Sequence, residues 1–424
     1  MNKKVYSLIG ETVYESVLPN GLTVRVAEKK GFLKSQAMLA VNYGGADRRF
    51  SLDGTWHDTP AGVAHFLEHK MFDMPDGSNA LAALSARGAQ ANAFTSADMT
   101  AYYFSCTDGF YDNLRSLISF VTTPYFTAES VQKEQGIIAQ EIAMGADRPS
   151  TLLYYGLLEC LYRSHPIRDK VTGSAESIAQ ITPETLYACH RAFYRPCNMV
   201  LCCVGDVDPE RIGDIAAELT DPVLSEQPRS DYGEPEPPEV NAPRFSCTAA
   251  VSAPDFYFGC KLPCPADGTE AVRSRLIGSL AMDYLAGEAS PFFTSLYAQG
   301  LLKRDFGFGL SSAAGTSFVL LGGETRDPES VLAALQAELE RIRADGPDKA
   351  RFERLRRSHC GTLLTGFDSF DYLARELAAG CFRGWLPHDA FETLETLTPD
   401  DAVSYLAAAF APGRTALSLV EPQK

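Results

Sequence analysis

The chain has 424 residues, 45% of them hydrophobic and 22% charged, a globular composition long enough for two or three domains. Its 38 basic against 54 acidic side chains leave a net charge of −16, which repels phosphate backbones and argues against a nucleic-acid partner. No apolar run is long enough to span a bilayer, and the eleven cysteines, scattered through apolar segments, read as buried thiols of a reducing compartment. A cytoplasmic protein without a membrane partner is therefore expected.

The start, Met1-Asn2-Lys3-Lys4-Val5-Tyr6, has a basic pair with no apolar run behind it, so a signal peptide is not expected. Strands are predicted at 22–26 (Leu-Thr-Val-Arg-Val) and 37–41 (Ala-Met-Leu-Ala-Val). The next element is His65-Phe66-Leu67-Glu68-His69. On a helix, positions i, i+3 and i+4 share a face, so both imidazoles and the Glu68 carboxylate project toward one point. Zinc suits imidazole and carboxylate ligands, and the spacing inverts the commoner His-Glu-x-x-His order of zinc proteases.

A strand at 100–104 (Thr-Ala-Tyr-Tyr-Phe) leads to a predicted helix over 127–142, with Val131, Ile137, Ile138 and Ile142 expected on its apolar side. Glu134 and Glu141 are two turns apart on that helix and share a face. From spacing alone they are either carboxylates aimed at a metal or a solvated acidic stripe.

These residues carry a resemblance to the insulinase or pitrilysin-type metallopeptidases, the inverzincins that include the mitochondrial processing peptidase. It runs through 62–69 (Gly-Val-Ala-His-Phe-Leu-Glu-His), Asn92-Ala93-Phe94-Thr95-Ser96, Thr100, Tyr102, Glu134 and Glu141. It continues through His165-Pro166, Gly173, Ile181-Thr182-Pro183, Tyr194, Pro196, Asn198-Met199 and Gly205-Asp206. The resemblance implies that His65, His69 and Glu141 hold zinc, that Glu68 is the general base, and that Glu134 supports the ligands from behind. It further implies that Asn92, Ala93 and Phe94 border the zinc and pair with an extended peptide as an added strand. The implied activity is endopeptidase action on short or unfolded peptides, with Glu68 relaying a proton from water to the leaving amine.

An internal repeat is visible without the family. Ile181-Thr182-Pro183-Glu184 recurs 216 positions later as Leu397-Thr398-Pro399-Asp400, and in that register Tyr194 meets Phe410, Pro196 meets Pro412, Leu201 meets Leu417 and Val204 meets Val420. Each copy reads as a capped helix, a Pro turn and an apolar strand. Two similar α+β domains follow, each a largely antiparallel sheet covered by helices: a zinc-binding domain at 1–221 and a counterpart at 244–424. Between them the Pro- and acid-rich stretch 222–243 reads as an exposed, semi-rigid linker. The same offset carries His65, Glu68 and His69 to Ala281, Tyr284 and Leu285, so one zinc per chain is expected.

Gly307-Phe308-Gly309 is too short a glycine pattern for a nucleotide loop, and a further strand is predicted at 318–321 (Phe-Val-Leu-Leu). Active relatives place an arginine and a tyrosine, seven residues apart, in the C-terminal domain facing the zinc. Alignment puts Leu296 and Lys303 at those positions. The chain is therefore expected to pair with a sister subunit that supplies both, a homodimer being the alternative. The rival function is a non-catalytic assembly or peptide-binding subunit of such a heterodimer.

Overall fold

A computed structural model of the chain describes residues 1–423. Its two compact units are interleaved in sequence: one comprises Met1–Ile142, Asp169–Tyr232 and Leu364–His388, the other Ala143–Arg168, Gly233–Leu363 and from Asp389 to the end of the described chain.

In the first unit, a seven-stranded sheet runs in the order Asn2–Tyr6, Glu11–Val17, Thr23–Glu28, Met199–Gly205, Ser35–Val41, Thr100–Cys106, Gln90–Thr95. All neighbours are antiparallel except Thr23–Glu28 with Met199–Gly205. The Met199–Gly205 strand is buried at every residue, which explains its unbroken apolar run: both faces of the sheet are covered. On one face Val24, Leu39, Leu201 and Tyr102 join the core with Phe66 and Leu67 of the Val63–Lys70 helix. The other face meets the Phe370–Phe382 helix. There Arg25, buried in its strand, donates to the carbonyls of Leu377 and Trp385 at 2.9 Å each.

The second unit contains a five-stranded sheet in the order Arg244–Ala249, Thr415–Pro422, Asp255–Leu262, Thr316–Glu324, Gly307–Ala313, again with one parallel pair, the first. It repeats the last five strands of the first sheet, from Thr23–Glu28 to the edge strand Gln90–Thr95. The Pro149–Leu161 helix packs on it so closely that a Cβ on Gly156 would meet the Phe245 ring at 2.3 Å. The expected repeat is thus realised element by element: helix Pro183–Phe193 corresponds to Pro399–Ala409, each capped by a threonine (Thr182, Thr398) with proline in its first turn.

Division at 222–243 does not capture these units, because Phe370–Phe382 covers the first sheet while Pro149–Leu161 covers the second. The intervening segment is also anchored rather than free. Arg229–Ser230 pairs with the Arg49–Leu52 strand, whose hairpin partner Thr55–Asp58 follows the turn Asp53-Gly54 at φ 50 and 80. The Tyr232 hydroxyl donates to Asp47 at 2.8 Å, and Glu236 is held by three backbone amides. Six of the cysteines are buried, but Cys264 is exposed.

Candidate metal centre

The site is built on two helices and one strand of the first unit. The Val63–Lys70 helix carries His65, Glu68 and His69, with Phe66 and Leu67 fully buried beneath them. The Ala128–Ala146 helix crosses nearby and is anchored by Val131 and Ile138; Ile137, expected on that apolar side, is 46% exposed. Its true inner face is the line of Val131, Glu134, Ile138 and Glu141, which brings both carboxylates to the histidines.

One ligand atom each from His65, His69 and Glu141 lie within 4.8 Å of one another. The Glu141 oxygens stand 3.7 Å from His65 Nε2 and 3.8 Å from His69 Nε2. Behind them Glu134 Oε1 lies 3.0 Å from His69 Nδ1. An ionised carboxylate can only accept, so Nδ1 carries the proton and Nε2 offers its lone pair. Lys70, itself buried, stands 3.7 Å from the second oxygen of Glu134.

Charge follows from burial. Burial pushes the His65 imidazole down to about 4, and the neighbouring His69 adds to this. A neutral imidazole is the form that binds metal. Burial acts downward on His69 as well, but the hydrogen bond and charge of Glu134 outweigh it and raise the ring. Burial also raises Glu68, against a hydrogen bond from Thr95. Two imidazoles and a carboxylate converging on one point, beside Glu68, whose carboxylate is bonded instead to Thr95, fit a zinc ion held by three protein ligands.

The strand Gln90–Thr95 is an edge of the sheet and, among the described residues, pairs only with Thr100–Cys106. Its alternation separates the expected substrate residues. Ala91 and Ala93 pack against the core, and Thr95 reaches Glu68 from the same face. Phe94 turns to the opposite face, where the Arg375 guanidinium lies 3.9 Å from its ring centroid. Asn92 caps the amide of Ala93 at 2.9 Å. Two contacts escaped the sequence reading: Thr95, whose period-two relation to Ala93 was readable, and Arg375, whose approach from 281 residues away was not.

In the second unit Ala281, Tyr284 and Leu285 are buried on the Thr269–Ala286 helix, with no ligand among them. Leu296 is buried in the Pro291–Ala298 helix, and the Lys303 ammonium pairs with Glu324. No helix among the described residues is long and apolar enough to cross a membrane.

Comparison with known proteins places the chain in a family. The family model "Insulinase (Peptidase family M16)" matches residues 53–174, and "Peptidase M16 inactive domain" matches 180–358. An uncharacterized zinc protease of Bacillus subtilis, YmfH, is 35% identical over 99% of this chain and 98% of its own length. The chain belongs to the insulinase family, peptidase family M16. Two solved structures extend the likeness. The crystal structure of an M16-like peptidase from Alicyclobacillus acidocaldarius superposes with a TM-score of 0.92 at 33% identity, covering 97% of this chain and 99% of that one. A Helicobacter pylori protease shares the fold at a TM-score of 0.84 and 18% identity, covering 97% and 99%. The part of this M16 chain that matches the inactive-domain model includes Ala281, Tyr284 and Leu285, the positions where the ligands are lost.

Proposed function

We propose that the chain is a zinc-dependent endopeptidase that hydrolyses short or unfolded peptides, with one zinc per chain. The observation that carries this reading is the convergence of His65, His69 and Glu141 beside a buried Glu68. When bound, zinc supplies Lewis acidity to the scissile carbonyl and to water. His65 and His69 offer neutral nitrogens, Glu141 a charge that offsets the ion, and Glu134 keeps His69 in the right tautomer. Glu68 takes a proton from water as it attacks the carbonyl carbon and passes it to the leaving amine. An extended peptide adds to the free edge of Gln90–Thr95 through main-chain hydrogen bonds, with Ala93 leaving room on the zinc side. Phe94 contributes backbone rather than its ring, which Arg375 already covers.

Neither Leu296 nor Lys303 offers a guanidinium or a phenol, which supports a sister subunit of the same family completing the site. Purified chain and its Glu68→Gln variant, compared on a quenched fluorescent peptide library with zinc content measured on both, test the reading. Turnover by the chain alone, lost in the variant at equal zinc, supports a self-sufficient peptidase and overturns the sister subunit. Turnover only after a sister protein is added supports the heterodimer. A chain that binds no zinc overturns both.

A further inference from the structure

The carboxylate of Glu68 has two oxygens, and the fold treats them differently. Oε2 accepts a hydrogen bond of 2.5 Å from the Thr95 hydroxyl. The direction of that bond is fixed by the groups behind it. Thr95 is paired across the sheet with Thr100, and the two hydroxyl oxygens are 3.4 Å apart. Thr100 spends its only proton on the Tyr43 carbonyl at 2.8 Å. It therefore cannot donate to Thr95, and the Thr95 proton is directed at Glu68, which as a carboxylate only accepts. The two hydroxyls thus point their protons opposite ways, that of Thr95 to Glu68 and that of Thr100 to the carbonyl of the fully buried Tyr43, with no proton shared between them.

We propose that Thr95 is a positioning residue that locks the Glu68 carboxylate in one orientation, reserving Oε1 as the oxygen that exchanges protons with water and the leaving amine. The claim rests on the endopeptidase reading for its kinetic consequence, but the locking itself does not depend on turnover. Thr95 stands on the same edge strand that is proposed to receive the peptide. The register of the substrate and the direction of the base are thus set by one short segment, with the main chain of Gln90–Thr95 facing the peptide and the Thr95 side chain facing Glu68.

The test compares Thr95→Val, which keeps the branched shape, with Thr95→Ser, which keeps the hydroxyl. Both are made in the zinc-loaded chain, with its sister subunit if turnover requires one. Thr95→Val is expected to lower kcat by about 10- to 100-fold with KM and zinc content unchanged. Thr95→Ser is expected to stay within about 3-fold of the parent, because serine restores the donor. Crystal structures of the two variants give a readout independent of activity: Glu68 in a single orientation in Thr95→Ser, which retains the donor, and in more than one in Thr95→Val, which lacks it. An unchanged kcat in Thr95→Val, an equal fall in both variants, or a single Glu68 orientation without the hydroxyl would overturn the proposal. Zinc-loaded parent that cleaves no peptide even with a sister subunit supplied, while Glu68 is fixed with serine and released with valine, refutes the endopeptidase reading and leaves the positioning role standing.

Discussion

Gly62 and Gly173 stand back to back at the start of the metal helix. A Cβ on Gly62, whose φ is 95°, would come within 2.7 Å of the Thr172 carbonyl and 3.1 Å of the Gly173 Cα; one on Gly173, at φ 73°, would come within 2.5 Å of the Ala61 carbonyl. Two chain segments touch here without side chains between them. Gly62→Ala adds left-handed strain to a backbone clash and is expected to cost about 2–4 kcal/mol. Because the helix then shifts, zinc affinity falls although no ligand changes. Urea unfolding combined with chelator competition checks both; an alanine variant as stable and as zinc-avid as the parent contradicts the expectation.

Glu134 touches the site only through His69. Glu134→Gln keeps the shape but removes the charge that raises the basicity of the ring. Zinc affinity is expected to fall about 10- to 100-fold, with hydrolysis recovering as zinc is added. The contrast with Glu68→Gln is the point of the measurement, since added zinc does nothing for a missing proton carrier.

Glu236 anchors the segment between the two repeats. Its carboxylate accepts from the amides of Arg163, Ser164 and His165 at 2.7–3.0 Å and from Lys261 at 3.1 Å. Burial alone would raise this carboxyl, but the Arg163 and Ser164 amides, the Lys261 ammonium and the His165 amide outweigh it and hold it down to about 2, against an ordinary 4.5. A depressed carboxyl stabilises fully above its unfolded value and loses that contribution as pH falls through the folded one. The window is therefore from 4.5 down to about 2. Glu236→Gln is expected to cost about 1–3 kcal/mol near neutrality and to flatten the acid loss in that window. Urea unfolding at neutral and acid pH reads both effects; parallel losses in variant and parent would assign the acid sensitivity elsewhere.

From the face opposite Glu68, Arg375 covers the Phe94 ring of the edge strand and donates a 3.2 Å hydrogen bond to the Tyr103 hydroxyl of the strand paired with it. Arg375→Ala removes both, a loss of about 1–2 kcal/mol. Hydrogen exchange at the amides of Gln90–Thr95 is expected to speed up while the inner strand Met199–Gly205 stays protected. Uniform acceleration across the sheet would indicate general destabilisation instead.

The metal helix was legible because its chemistry is local: residues i, i+3 and i+4 of one turn declare their common face. The repeat was legible because both copies keep the same cap, proline and apolar strand, and the helices Pro183–Phe193 and Pro399–Ala409 lie in register at the offset read from sequence. Phe94 was grouped with Asn92 and Ala93 because a motif names neighbours in sequence, whereas strand alternation sends Phe94 to the face opposite Ala93. Ile137 was misplaced for a related reason, a helix stripe drawn one position too wide. Glu236 looked solvent-exposed in a run of proline and acid, since nothing nearby announces the three distant amides that it binds. The helix exchange was hidden most deeply: Pro149–Leu161 and Phe370–Phe382 are each apolar enough for either sheet, and only packing selects the partner.

That exchange ties the order of synthesis to the order of folding. On a ribosome the first sheet has all its strands once residue 205 has emerged, yet the face bearing Arg25, Met38 and Cys202 awaits a helix that ends at residue 382. The usual sequence, in which an amino-terminal domain closes before the next is made, is not open to this chain. Its half with the candidate metal centre must wait, with apolar surface uncovered, until nearly all of the polypeptide exists. A premature stop in the last part of the message would therefore strip cover from the half that carries His65, His69 and Glu141.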